Sequence, residues 1–403
     1  MSHGIRSGAG AAERGFSLVE LMVAMAIGLV VVLAVTSLIV VSQTRERTTG
    51  GSNDMNQSSA YAATVVDQAL RSAGAGFAQG WDLGALGCQP YLSYKTAAVL
   101  PRSTSLPAPF AGLLGGGTAT ANLRIAPVLI GQGQAAGGSD ILAVMSGSAA
   151  IGDVPRRIRD FVDGSSTEAR VRLDTTLALH ADDVLLLSRP ESEACAISQV
   201  KSNFVHSAGQ DVVTLAGDYY RSTLDNSNTL QTLTGGGEAF VTGLGNGSSG
   251  NLSMQLFGAG TDRVLYRYDM LRQSGNDAAE ALAEGVVAMR AIYVVDANID
   301  TAGATPAPTW TAPTGDWAIG TLLAKSRTDR ARALRQIVGV RVSLLLRSSV
   351  RQSVVAAPAS YVMLQGLAGE RTVNLSDADR RFAHRLIELT VPLRNALMVQ
   401  PSF

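Results

Sequence analysis

An uncharged apolar stretch near the N-terminus is the longest hydrophobic segment of the chain. Residues 21–44 contain no Asp, Glu, Lys or Arg and consist mainly of Val, Leu, Ala, Ile and Met. As a helix this stretch would rise about 36 Å, enough to cross a hydrocarbon core of roughly 30 Å. A removable secretory signal has a shorter apolar core and a small-residue cleavage site, so it fits less well. The pattern predicts one transmembrane helix.

Basic residues on the two sides of this stretch bear on its orientation. Arg6 and Arg14 precede it, although Glu13 dilutes their charge, and Arg45 and Arg47 follow it. Positive charge is retained preferentially on the cytoplasmic side of a membrane. The leading arginines therefore favour a cytoplasmic N-terminus, with most of the chain on the other side.

Helical spacing continues beyond the apolar stretch. Apolar residues recur every three to four positions at Met55, Ala62, Val65, Val66, Ala69, Leu70 and Ala73. This spacing predicts an amphipathic continuation of the helix over residues 45–76. Gly50 and Gly51 lie in its first part, and each costs roughly 1 kcal/mol relative to alanine in a helix. We therefore predict a kink or break near residues 48–53.

From residue 77 onward the pattern changes to short apolar runs between turn residues. In 338–344, valine and leucine alternate with Arg341 and Ser343, and in 287–293 one apolar face lies opposite Arg290. Such alternation is typical of strands packed on one side. Similar runs occur at 140–144, 169–173, 183–187, 211–215 and 263–268. The predicted fold class is α+β, a long N-terminal helix followed by a large antiparallel β-sheet head over 77–403.

Composition and charge exclude several classes of protein. The 403 residues carry a formal net charge of zero, and only 16% of them are charged. Of the 33 basic residues, Lys95, Lys201 and Lys325 are the lysines, so no Lys-rich tail or patch could follow a phosphate backbone. We predict no direct nucleic-acid binding. Two cysteines exclude a disulfide-dense scaffold and a zinc site built from cysteines alone.

Motifs for catalysis or cofactor binding are weak. Residues 245–250 fit G-x-G-x-x-G, but the segment after them is too short for a phosphate-binding helix, so we predict a hairpin loop. Residues 296–300 supply D-x-N-x-D, yet Thr301 and Ala307 replace the glycine and the closing glutamate of a calcium loop. His180, His206 and His384 are isolated in sequence. We therefore predict no cofactor, no metal site and no enzymatic activity.

Glu20 is a carboxylate at the start of the apolar helix. Such a group costs about 2.5–3.5 kcal/mol within a lipid-facing segment unless it lies near the interface or has a partner. One interpretation is an interfacial acid that suits the positive end of the helix dipole. The other requires cleavage between Gly15 and Phe16. The new α-ammonium group on Phe16 of a neighbouring subunit would then lie at a depth where Glu20 could pair with it.

The segment Gly-Phe-Ser-Leu-Val-Glu-Leu-Met at 15–22 resembles the cleavage and helix-start motif of type IV prepilins and pseudopilins. This resemblance implies a leader of residues 1–15, cut after Gly15 by an inner-membrane prepilin peptidase, and N-methylation of Phe16. It further implies a transmembrane and filament-core helix over 16–44 and a role for Glu20 in subunit assembly. Major pilins are much shorter, so the length indicates a minor component with an enlarged head.

Later segments resemble the PilW-type minor pilins, namely 22–29, 70–74, 282–296, 338–348 and 390–395. This implies a minor pilin that helps initiate pilus assembly in the bacterial inner membrane, has its head in the periplasm, and lies at or near the pilus tip. The implied partners are other minor pilins, the major pilin, the prepilin peptidase and the inner-membrane assembly platform, with a tip adhesin as a further candidate.

Two other functions fit parts of the pattern. A minor pseudopilin of a type II secretion system would share the cleavage motif and Glu20. A membrane-anchored periplasmic binding protein or enzyme would share only the anchor, and a deep polar pocket with converging titratable groups would favour it.

Cys88 and Cys195 lie beyond the apolar helix, on the side where an oxidising compartment is expected. Cys88 follows the first helix in a turn-rich stretch and could reach a strand edge. We therefore predict a disulfide between the two, with two buried free thiols as the alternative.

Overall fold

The computed structural model describes residues 17–95, 97–117, 122–147, 154–249, 251–271, 278–301 and 303–398. The chain forms two compact units, Met1–Asn53 and Asp54–Phe403. The helices of the described residues are α1 (Leu18–Ser72), α2 (Leu230–Thr234), α3 (Ile319–Ala324), α4 (Arg327–Arg335) and α5 (Arg394–Leu397). Short 3₁₀ turns occur at Ala78–Gly80, Phe110–Gly115, Ala136–Gly138, Gly235–Gly237, Gly315–Trp317 and Asp379–Arg381.

Strands make up most of the second unit. They are β1 (Gln89–Tyr94), β2 (Ala97–Leu100), β3 (Val128–Gly131), β4 (Ile141–Ser146), β5 (Arg156–Gly164), β6 (Glu168–Leu173), β7 (Asp183–Ser188), β8 (Ala194–Gln199), β9 (Val212–Ala216), β10 (Ala239–Asn246), β11 (Ser253–Ala259), β12 (Val264–Asp269), β13 (Glu280–Glu284), β14 (Val286–Val295), β15 (Thr309–Thr311), β16 (Ile337–Arg351), β17 (Ser360–Met363), β18 (Arg371–Asn374) and β19 (Phe382–Pro392).

These strands form three sheets and a hairpin. The eight-stranded sheet has the order β2-β1-β8-β7-β10-β5-β6-β9, the five-stranded sheet β13-β12-β11-β4-β3, and the four-stranded sheet β15-β14-β16-β19. Strands β17 and β18 form the hairpin. Of the described strand pairs, only β1 and β8 run parallel. The predicted α+β class is confirmed, and each of the seven predicted runs overlaps a strand, with residues 140, 211 and 263 lying just before β4, β9 and β12.

Helix α1 is continuous through Gly50 and Gly51, so a break near 48–53 is wrong, whereas a kink there stays a prediction. The two glycines together cost about 2 kcal/mol relative to alanine. Helix propagation is cooperative, because each residue added to an existing helix forms one more hydrogen bond. The long helical segments on both sides of the glycines therefore stabilise the helical conformation at Gly50 and Gly51. The two units of the chain nevertheless meet at residues 53 and 54, just after these glycines.

The C-terminal part of α1 belongs to the main core of the second unit. Ala62, Val66 and Leu70 are fully buried, and they share one cluster with Val342 and Leu344 of β16. This is the apolar face that the three-to-four-residue spacing predicts. Burying a leucine or valine side chain contributes about 1.5–3 kcal/mol, so this face ties the helix to the sheets.

The four-stranded sheet is covered on both faces, contrary to the prediction of one-sided packing. Leu345 of β16 and Ala288 of β14 form a second small cluster with Met363, on the hairpin of β17 and β18. Ile292 is also buried, and a Cβ built on Gly369 would lie 2.7 Å from its Cγ2. Nothing in the strand pattern itself shows that the hairpin folds back onto this face.

A buried carboxylate joins the five-stranded sheet to the four-stranded sheet. Asp140 immediately precedes β4 and accepts hydrogen bonds from the Ala291 amide at 2.9 Å, the Gly133 amide at 2.8 Å and the Arg290 guanidinium at 3.1 Å. Burial raises the pKa of Asp140, while these three donors oppose that rise. The Tyr293 hydroxyl nearby accepts a hydrogen bond from the Ile130 amide at 2.7 Å. This bond connects β14 of the four-stranded sheet to β3 of the five-stranded sheet.

Cys88 and Cys195 form a disulfide, as the sequence predicts. Cys88 immediately precedes β1, and Cys195 lies in β8 opposite Pro90 of the parallel β1–β8 pair. The two Cα atoms are 5.7 Å apart, and the cysteines are 107 positions apart in sequence. The bond therefore closes a long loop at the place where β1 enters the eight-stranded sheet.

We expect non-reducing peptide mapping of the mature protein to recover Cys88 and Cys195 in one cross-linked peptide pair. Replacing both with alanine should lower the free energy of unfolding by about 2–5 kcal/mol, because the unfolded chain regains the freedom of the open loop. Chemical denaturation of the two proteins measures this difference. Recovery of both cysteines as free thiols, alkylated before lysis, would contradict the pairing.

Candidate assembly surface

The first unit presents apolar side chains to its surroundings along residues 18–41 of α1. Between 48% and 74% of the surface of each large apolar side chain in this segment is exposed. They are Leu18, Val19, Leu21, Met22, Val23, Met25, Ile27, Leu29, Val30, Val31, Val32, Leu33, Val35, Leu38, Ile39, Val40 and Val41. Among the described residues, α1 is the one helix long and apolar enough to cross a membrane. Such a surface requires lipid or other apolar helices around it.

Hydroxyl groups within this apolar segment are paired inside the helix. The Thr36 hydroxyl donates to the Val32 carbonyl at 2.9 Å, and the Ser37 hydroxyl donates to the Ala34 carbonyl at 2.8 Å. In a lipid environment every polar group must be satisfied within the protein. These two residues therefore do not oppose membrane insertion.

Glu20 is the acidic residue in the first turn of α1. Its side chain is exposed, and among residues 17–53 it makes no hydrogen bond or ion pair. A carboxylate in the first turn interacts favourably with the helix dipole. The predicted cleavage residues Gly15 and Phe16 lie outside the described residues.

Two arginines of α4 attach this helix to the chain around the disulfide. Arg330 is buried and donates to the Gly87 carbonyl at 2.8 Å and to the Leu323 and Lys325 carbonyls at 2.9 Å each. Its remaining nitrogen pairs with the carboxylate of Glu193. The guanidinium is thus surrounded by three carbonyls and one carboxylate.

Arg327, one turn earlier, binds the same region. It donates to the Ser192 carbonyl at 3.0 Å, the Gly84 carbonyl at 2.7 Å and the Leu86 carbonyl. Burial and the neighbouring charge of Arg330 lower the pKa of Arg327 to about 10. We call Arg327, Arg330 and their acceptors the arginine clamp.

A polar groove of about 650 Å³ lies elsewhere in the second unit. Its lining residues are Asp54, Met55, Gln57, Ser58, Asp262, Arg263, Val264, Glu284, Gly285, Arg347, Ser348 and Ser349. Asp379 binds both of its arginines, Arg263 at 3.0 Å and Arg347 at 2.7 Å. The Ser376 hydroxyl and these two guanidiniums lower the pKa of Asp379. The arginines are therefore engaged in a structural network.

The titratable groups near this groove do not form an arrangement typical of catalysis. The Nδ1–H group of His384 donates to the Phe382 carbonyl, 2.9 Å away, and burial lowers the pKa of His384. No nucleophile is hydrogen-bonded to this histidine in the described chain. Within those same residues, no group of three or more His, Cys, Asp or Glu side chains could hold a metal ion. The groove therefore lacks the convergent groups that an enzyme site requires.

Comparison with known families places two parts of the chain. Residues 10–36 match the prokaryotic N-terminal methylation motif, and residues 252–395 match the family described as type IV pilus-assembly protein W. The chain thus carries a prepilin-type methylation motif near its N-terminus and is similar to the PilW family over residues 252–395. No curated protein and no solved structure matches it. These matches support a pilin-like protein of pilus assembly.

The PilW-like part corresponds to a distinct portion of the second unit. It begins just before β11 and ends in α5, so it contains the four-stranded sheet, the hairpin and the arginines of the clamp. The eight-stranded sheet is formed by β1, β2 and β5–β10, all of which precede residue 252. The clamp therefore links the PilW-like part to the preceding sheet.

Sequence reasoning did not find the clamp. The run Arg327–Arg335 has a helical pattern, and Ser326 caps it by accepting the Asp329 amide. Its arginines resemble those of any exposed helix. Their acceptors are mostly backbone carbonyls, which leave no trace in the sequence.

Proposed function

We propose that the protein is a minor type IV pilin that takes part in the initiation of pilus assembly and lies at or near the pilus tip. The observation that carries the proposal is the presence, in one chain, of a methylation motif at an exposed apolar helix and a PilW-like head segment. The helix provides a membrane anchor before assembly. In a filament, neighbouring helices would cover the same apolar surface.

In this proposal the helix first lies in the bacterial inner membrane, as a single span, with the head in the periplasm. Prepilin peptidase removes residues 1–15 and Phe16 becomes N-methylated. The inner-membrane assembly platform, the other minor pilins and the major pilin are the partners, and a tip adhesin is a further candidate. The disulfide supports a periplasmic head, because such bonds persist in oxidising compartments.

The size of the head supports a position at the end of the filament. The second unit spans Asp54–Phe403, and its eight-stranded sheet lies outside the PilW-like part. A subunit inside a filament has neighbours both above and below its head. The last subunit has free space on one side, where an additional sheet can be accommodated.

Deletion of the gene should abolish or strongly reduce surface pili, and the full-length chain should restore them. Electron microscopy of sheared cell-surface filaments measures this. Secretion of type II substrates into the medium is the matched readout. Normal piliation with lost secretion would assign the chain to the type II machine, and normal results in both would favour a membrane-anchored binding protein.

Processing should depend on Gly15. A leucine at this position should leave the precursor uncut, because the peptidase must accommodate a residue without a side chain beside the scissile bond. Intact-mass measurement of the membrane protein checks this, with Gly28→Leu as the control because a side chain at Gly28 meets no atom within 4 Å. A mature N-terminus at Phe16 in the Gly15→Leu protein would disprove the leader assignment.

Glu20→Ala should impair assembly while leaving membrane insertion and processing intact. The substitution makes the span more apolar, and it removes the proposed partner of the Phe16 ammonium of a neighbouring subunit. Breaking a buried ion pair costs about 3–5 kcal/mol, so co-purification with the other minor pilins should fall at least about tenfold. Few pili should be restored in the deletion strain.

Glu46→Ala is the matched control for Glu20→Ala, because Glu46 lies on the same helix beyond the uncharged stretch. This variant should assemble normally. Full piliation by Glu20→Ala at native expression would show that Glu20 is an interfacial acid only.

A further inference from the structure

The acceptors of the arginine clamp lie beside the two cysteines. Arg327 and Arg330 bind the carbonyls of Gly84, Leu86 and Gly87, which lie within four residues of Cys88. They also bind the Ser192 carbonyl and the Glu193 carboxylate, which lie within three residues of Cys195. The disulfide therefore holds together the two chain segments from which the clamp takes its acceptors.

The fit between these segments and the arginines is close. Gly87 has φ +77°, and a Cβ on it would lie 3.1 Å from Nε of Arg330 and 3.2 Å from Nη1 of Arg327. A side chain would have to displace the guanidiniums or distort the turn, since L residues disfavour this backbone conformation. The clamp thus depends on the precise backbone path just before Cys88.

The cluster contains more positive than negative charge. Arg124 lies 3.9 Å from Glu193, which also pairs with Arg330. Burial and the charges of Arg330 and Arg124 lower the pKa of Arg327, and the charges of Glu193 and Glu191 oppose this shift. A buried guanidinium without acceptors carries a large desolvation cost. The clamp is therefore stable only when the carbonyls of both cysteine-flanking segments are in place.

We propose that the clamp is a redox-dependent latch, in which oxidation of Cys88 and Cys195 allows α4 to dock against the chain beside the eight-stranded sheet. In this step the two thiols form the S–S bond and lose two protons and two electrons. A disulfide-bearing oxidant of the oxidising compartment accepts them and becomes a dithiol. The PilW-like part then acquires its final arrangement only after the head reaches that compartment. The proposal rests on the proposed function only for the source of the oxidant.

Limited trypsin digestion of the purified full-length protein in detergent tests the latch. The oxidised wild type is compared with the Cys88→Ala/Cys195→Ala protein, and mass spectrometry follows cleavage after Arg327 and Arg330. We expect cleavage there to be at least about tenfold faster in the cysteine-free protein, because α4 opens locally. Arg290 is the internal control, since it is largely buried in β14 and contacts Asp140 far from both cysteines in sequence. Its cleavage should remain unchanged.

A double-mutant comparison tests the coupling by a second readout. Arg330→Gln should lower the thermal midpoint of the oxidised protein and should have little further effect on the cysteine-free protein, because the clamp is already open there. Arg290→Gln should lower the midpoint of both proteins equally.

Either of two results would overturn the proposal. Equal protection of Arg327 and Arg330 in both proteins would show that the clamp forms without the disulfide. Simultaneous exposure of Arg290 and Arg330 would show that the disulfide holds the whole unit rather than a local latch. Neither result depends on piliation, so a failure of the latch is distinguishable from a failure of the proposed function.

Discussion

A buried guanidinium must have its N–H groups paired, and this requirement governs how the parts of the head are joined. Arg330 meets it with three carbonyls and one carboxylate drawn from α3, the turn after it and the chain around the two cysteines. Removing these acceptors would leave a cation in a poorly solvated site, which costs several kcal/mol. The position of α4, and of β16 that follows it, therefore depends on the path of a distant part of the chain.

The first part of α1 differs from the arginine clamp, because its polar groups do not depend on acceptors from distant parts of the chain. There the hydroxyls of Thr36 and Ser37 are satisfied within the helix, and the large side chains exposed along residues 18–41 are apolar. Removing this apolar surface from water is favourable, so the helix is more stable in lipid or packed against similar helices. Glu20 is the exception, because its carboxylate has no partner among the residues of its own unit that the structure describes. A cationic group of another subunit could pair with this carboxylate.

The second unit combines a family-like portion with an additional sheet. Strands β11–β13 of the PilW-like part share a sheet with β3 and β4, which precede it in sequence, so the two portions are joined by backbone hydrogen bonds as well as by the clamp. Asp140 adds a third connection, from the start of β4 to Ala291 of β14. These links explain why Asp54–Phe403 forms one compact unit although the family resemblance covers only part of it.

The sequence by itself determined the elements whose signal is local. The uncharged stretch specified an apolar helix, the spacing of Ala62, Val66 and Leu70 specified its buried face, and alternation specified β16. The motif around Gly15 and Glu20 indicated the family, and the presence of two cysteines, Cys88 and Cys195, indicated the disulfide. The tertiary structure alone decided the continuity of α1 through its glycines, the hairpin over the four-stranded sheet and the acceptors of Arg327 and Arg330. These features depend on helix cooperativity and on backbone groups brought together from distant positions, and backbone carbonyls are the same in every residue.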